Sequence, residues 1–159
     1  MTVKLKPSAQ KVQKALHAFN LSCEVVQMAD TTRSASDAAR AVGCHVGQIV
    51  KSLIFEGRQS HQPILVAASG ANRVNERAVE QTVSEPIKMA NPDYVRQMTG
   101  FAIGGVPPIG HDHALKIFID EDLLQYDEIW AAAGTPHAVF KLTPDDLKRI
   151  TNGTVISVK

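Results

Sequence analysis

Apolar residues recur along this chain with two different periods, and the switching between them sets the expected elements. In residues 8–20, Val12, Ala15, Leu16 and Phe19 fall at helical spacing, which predicts a helix capped by Ser8 and ended by Asn20. Residues 23–28 read as a strand centred on Val25 and Val26. Residues 34–42 predict a second helix, with Ser34 as cap, alanines along it and Gly43 stopping it. Two apolar runs, 49–56 and 63–68, flank a polar stretch containing Gly57 and predict a hairpin with a loop longer than a tight turn. Asn75 opens a third helix with Ala78 and Val79 facing inward, and 87–90 is a short strand.

The last third repeats the alternation. Asn91-Pro92 starts a helix that Gly100 ends, and Thr143-Pro144-Asp145-Asp146 starts another, with two carboxylates at the positive end of the helix dipole. Residues 101–103, 115–120, 128–133, 138–142 and 154–158 read as further strands. Seven or eight strands and four or five helices in mixed order predict an α/β or α+β fold around a central mixed sheet. The order is not a clean βαβ series, so a doubly wound dinucleotide fold is a poor match.

Composition narrows the class. With 159 residues, 44% hydrophobic and 21% charged, the chain has the size and balance of one ordinary domain spanning residues 1–159. No apolar run reaches the roughly 18–20 residues of a membrane span. The start, MTVKLKPSAQ, carries charges with no apolar stretch after them, so no secretory signal is expected. Cys23 and Cys44 form neither a metal pattern nor a disulfide framework, and a cytoplasmic, reduced setting is expected. Seventeen Lys and Arg against sixteen Asp and Glu give +1. Any nucleic-acid partner is therefore gripped by a small local patch, not along a long phosphate track.

Four places carry candidate chemistry. Lys51 shares a strand face with Ile49, Leu53 and Phe55. It either snorkels at a sheet edge, which the strand pattern alone favours, or enters a cavity where desolvation lowers its pKa. In residues 104–111, Gly104 and Gly105 allow close backbone approach while Pro107 and Pro108 stiffen the loop. Such a turn serves equally as an oxyanion hole or as a plain crossover. Gly134-Thr135-Pro136-His137 offers a histidine as proton shuttle or as an inert turn residue, the second being the commoner case. Ser69-Gly70-Ala71-Asn72 is a pocket rim or an ordinary loop. His111 and His113, with His137, Asp112 and Asp120 as further donors, form only a weak metal pattern, so no metal or other cofactor is expected.

Taken in order, IVKSLIF, ILVAASG, GGVPPIG and AAAGTPHAVF resemble the YbaK/ProX-type aminoacyl-tRNA editing family, which also occurs as the insertion domain of bacterial prolyl-tRNA synthetases. The resemblance runs from about Ser8 to Val158. It implies a mixed, partly barrel-like sheet flanked by helices, and hydrolysis of the ester of mischarged aminoacyl-tRNA. The substrate implied is tRNA for proline carrying alanine or cysteine. The family's strand lysine falls on Lys51, its loop glycines on Gly104 and Gly105, and its GxPH loop on Gly134, Thr135, Pro136 and His137. On this resemblance Lys51, Gly104, Gly105 and His137 are the catalytic candidates. Ser69, Gly70, Val106, Pro107, Pro108, Gly134, Thr135 and Pro136 are the substrate-binding ones. Some cysteine-specific members carry an aspartate where this chain has Val139, so alanine is favoured over cysteine. The implied partner is the acceptor end of aminoacyl-tRNA, with prolyl-tRNA synthetase as a further candidate and neither DNA nor a membrane. The alternatives are a catalytically silent tRNA- or protein-binding module of the same fold, and a metal hydrolase built on the three histidines.

Overall fold

A computed structural model describes residues 5–29, 32 and 34–159. The helices are α1 (Pro7–Ala18), α2 (Ala35–Val42), α3 (Glu76–Val83), α4 (Pro92–Thr99) and α5 (Pro144–Thr151). Among the described residues eight strands join one mixed sheet: β1 (Val25–Gln27), β2 (Ile49–Gly57), β3 (Pro63–Ser69), β4 (Ile87–Met89), β5 (Lys116–Asp120), β6 (Ile129–Ala132), β7 (Ala138–Leu142) and β8 (Thr154–Ile156). Their order is β1-β7-β6-β2-β3-β5-β8, with β4 added beside β2. The β2–β3 hairpin is antiparallel, as its polar connection predicts, whereas β2–β6, β3–β5 and β5–β8 are parallel.

Local chemistry accounts for the helix starts. Ser34, Asn75, Asn91 and Thr143 each accept a backbone N–H of the first turn, and Gly43 and Gly100 close α2 and α4 in the left-handed region. The first helix differs from expectation. Its cap is Lys6 with Pro7 in the first turn, and Ser8 lies inside it. Proline presets the helical φ there and gives up an N–H that would have no partner anyway. Phe19, expected inward, sits past the helix end and is 38% exposed. Residues 101–103 are not a strand either. Phe101 anchors that stretch in the core, with its N–H on Thr99 Oγ1, and the chain then turns.

Both faces of the sheet are covered, which is why β3 is buried at every position. On one face α1 (Val12, Leu16), α4 (Val95), α5 (Leu147, Ile150) and Phe101 pack over Leu65, Ala67 and Ile119. On the other, Val79 of α3 packs with Phe55, Val66 and Phe118. The small helix α2 lies apart, with Ala38 and Ala39 on Ile49. No helix among the described residues is long and apolar enough to cross a membrane.

Candidate active site

The site grows from an interruption in the sheet. On the side away from β3, β2 pairs with β6 only at Ile49 and Val50 and with β4 only from Phe55 to Gly57. Among the described residues no strand lies beside Lys51, Ser52 and Leu53 there. A cavity of about 280 Å³ occupies this gap. The β2 residues form its floor, Thr32 and Ser34 with Ala35 and Ala38 of α2 one wall, and Trp130 and Ala131 of β6 with Val139 of β7 another. Ile103, Gly104 and Val106 complete it, with the Ile103 side chain 50% exposed. Alanines where α2 and β6 approach keep the space open, and the lining is mainly apolar.

Among the described residues that line the enclosure, Lys51 carries the charge. Burial pushes its ammonium below the usual value, and the Asp120 carboxylate pulls partly the other way. The edge-lysine expectation thus gives way to a half-buried residue on a cavity floor, with no carboxylate within ion-pair distance among the described residues. Lys51 sits opposite Ala68 and Ala67 opposite Ile119, so one further step of the register brings Asp120 into the same row. Asp120 is fully buried. Its carboxylate accepts Ser69 N–H at 3.0 Å, Asn72 Nδ2 at 2.8 Å and Asp122 N–H at 2.9 Å. Three donors thus satisfy the carboxylate that lies in that row.

The glycine loop is a built wall. Gly105 N–H donates to Ala102 C=O at 3.1 Å, closing a turn in which Gly104 has φ 93°. Only glycine takes that angle without strain. Gly105 N–H is therefore committed to the turn, while Gly104 N–H has no hydrogen-bond partner among the described residues. Gly105 instead allows close packing, since a Cβ there would stand 2.9 Å from Thr135 backbone atoms.

The residues 134–137 lie behind this wall, outside the cavity lining. Gly134 N–H donates to Gly105 C=O at 2.8 Å, and Gly134 itself packs on Ser8 of α1. Pro136 C=O accepts the Thr32 hydroxyl at 2.8 Å, and His137 C=O accepts Met28 N–H at 2.6 Å. His137 is half-buried and does not line the cavity. Ser69 and Gly70 also stand outside it: Ser69 Oγ donates to Gly47 C=O, and Gly70 N–H to Ile49 C=O. They fasten the start of β2. Pro107 C=O accepts His111 Nε2–H at 2.7 Å, and Pro108 borders a separate shallow groove with His113. Val106 is the member of that loop stretch, besides Gly104, that reaches the cavity.

Sequence reading missed Ser52, Trp130, Thr32 and the α2 wall. Ser52 adjoins Lys51 in the chain and Trp130 is the single tryptophan, but only the parallel β2–β6 pair brings them together.

Residues 29–150 match the family described as the aminoacyl-tRNA editing domain. The crystal structure of a candidate trans-editing enzyme for prolyl tRNA synthetase is 46% identical, with a TM-score of 0.92 over 98% of this chain and 99% of that one. The uncharacterized protein YwhH of Bacillus subtilis is 28% identical over 144 residues, 91% of each chain. EbsC of Enterococcus faecalis, a candidate Cys-tRNA(Pro)/Cys-tRNA(Cys) deacylase, is 24% identical over 120 residues, 76% of this chain and 73% of that one.

Proposed function

The chain belongs to the aminoacyl-tRNA editing domain family, and from that premise we propose that it is a trans-editing deacylase for tRNA for proline charged with a small wrong amino acid, alanine ahead of cysteine. The observation that carries this reading is the half-buried lysine on the floor of a small apolar cavity lined by Gly104, whose amide has no hydrogen-bond partner among the described residues. At about 280 Å³ the cavity lies just under the roughly 300–1,000 Å³ of common ligand pockets. It suits a small acyl group with part of a ribose, and a whole nucleotide exceeds it. Val139 on its wall offers no carboxylate to a polar acyl side chain, which supports alanine.

An aminoacyl ester is already reactive, so the protein needs to orient it, admit water and stabilise the oxyanion. Water adds to the ester carbonyl, the tetrahedral oxygen takes the negative charge, and the ribose hydroxyl leaves with a proton. Gly104 N–H donates to that oxygen. Lys51 holds the ribose and terminal-phosphate end and adds positive charge nearby. Gly105, Gly134, Thr135, Pro136 and His137 act from behind, holding the wall whose size rejects bulkier acyl groups. The reading includes no metal: among the described residues no three His, Cys, Asp or Glu side chains come together as a ligand set.

The test is deacylation of a panel: tRNA for proline carrying alanine, cysteine or serine, with the cognate prolyl ester as control. The expected result is fast release of alanine, slower release of cysteine and a spared prolyl ester, unchanged by a chelator. Equal, uncatalysed decay of all four esters with folded protein would overturn it.

A further inference from the structure

One main-chain position in β2 is not used by the sheet. Ile49 C=O accepts Gly70 N–H, and Gly57 N–H donates to Gln62 C=O, so the odd-numbered residues of β2 turn their peptide groups toward β3. The β2–β3 register runs without a slip from Val50 to Glu56, so the even-numbered residues turn theirs the other way. On that side Val50 meets Ala131 of β6, Ile54 C=O accepts Ala90 N–H, and Glu56 meets Lys88 of β4. Ser52 lies between these contacts. Its N–H and C=O face the gap and have no partner among the described residues. Ser52 lines the cavity with Lys51 and Gly104, and its buried hydroxyl likewise has no partner among the described residues.

A single extended residue laid in the gap would meet Ser52 as an antiparallel hydrogen-bonded pair, its N–H on Ser52 C=O and its C=O on Ser52 N–H. An α-aminoacyl ester carries that pair of groups, an ammonium and a carbonyl separated by one Cα. We propose that Ser52 docks the aminoacyl group through its main chain as a one-residue strand, its C=O receiving the α-ammonium and its N–H donating to the ester carbonyl oxygen. This rests on the deacylase reading and deepens it, because it restricts the substrates to α-amino esters. It also completes the oxyanion site. Gly105 N–H is committed to its turn, so Ser52 N–H is the second open donor beside Gly104 N–H, and both face the carbonyl oxygen as it gains charge. Sheet addition of this kind gives affinity through the main chain and leaves selectivity to the walls.

The experiment uses the full chain and two hydrolysis-resistant probes, 3′-amino-3′-deoxyadenosine acylated on its 3′ nitrogen with L-alanine or with propionic acid. Amide resonances are followed during titration, and hydrogen exchange is followed in the free protein. Ser52 N–H is expected to exchange quickly although it lies mid-strand, and to shift when the alanyl probe binds. The propionyl probe, which lacks the ammonium, is expected to bind about tenfold more weakly or worse. Alanyl-probe binding that leaves the Ser52 amide unmoved, or equal affinity for the two probes, overturns the docking while leaving the deacylase reading in place. If neither probe binds and alanyl-tRNA is not hydrolysed, both fall together.

Discussion

Replacing Gly105 by alanine tests whether the glycine loop works as a packed wall or as a bare amide. The φ of Gly105 lies outside the left-handed region, so Gly105→Ala introduces no backbone strain of its own. The penalty is steric: the new methyl meets the N, Cα and C of Thr135, each at 2.9 Å, a distance that real Cβ contacts essentially never show. A flexible side chain could swing away, but these are main-chain atoms. They are held by Gly134 N–H on Gly105 C=O, by the Thr32 hydroxyl on Pro136 C=O and by Gly134 against Ser8. Overpacking that must move backbone costs about 1–3 kcal/mol, and two loops tied together put this case near 2 kcal/mol. For a chain of this size that is a fall in Tm of about 4–8 °C. Urea unfolding should show an earlier midpoint with an unchanged slope. Deacylation should fall as well, because Gly104 and Val106 ride on the same turn. A variant within about 0.5 kcal/mol of the parent and fully active would refute the argument.

Two further outcomes follow from the charges. Lys51→Met should abolish deacylation yet be no less stable than the parent in urea at pH 7, because desolvation disfavours the charged lysine in the fold. The native protein should gain stability as pH rises from the lowered Lys51 value toward the ordinary 10.5, and the variant should lose that gain; marked destabilisation of Lys51→Met would refute it. Burial holds the His111 ring below its ordinary 6.5, more than offsetting its bond to Pro107 C=O. The unfolded chain therefore binds more protons between the two values, and stability should decline as pH drops below about 6.5 and level off below the lowered value. His111→Gln should flatten that decline in unfolding midpoints measured from pH 7 to 5, and an unaltered slope would sink the assignment.

Much of this architecture is written in short-range chemistry. Ser34, Asn75, Asn91 and Thr143 cap the helices they precede, because a side-chain oxygen reaching the next turn needs only its own neighbours. The β2–β3 hairpin was legible for the same reason. Phe101–Ile103 misled because an apolar triplet serves a buried turn as well as a strand, and only the packing of Phe101 under α1 decides. Lys51 and Gly104 were legible as oddities, an ammonium among apolar residues and a paired glycine. That His137 stands behind the wall, that Gly105 gives up its amide and that Ser52 keeps its own depend on pairings between distant segments. Periodicity carries no record of those. The resemblance supplied the order of the motifs but not which faces of them meet.

The parallel contact between β2 and β6 has a consequence for synthesis. Residues 49 and 50 emerge from a ribosome early but acquire their neighbours only when residues 130 and 131 follow. At about 5–20 residues per second the nascent chain spends several seconds with Lys51 translated and no chamber around it. Val139 closes the enclosure later still. Long-range closure of this kind slows folding and makes it cooperative. A chain arrested before β7 would therefore carry the lysine and both loop glycines and still be inert toward the esters on nearby tRNAs, so that hydrolytic power arrives only once β7 has been made.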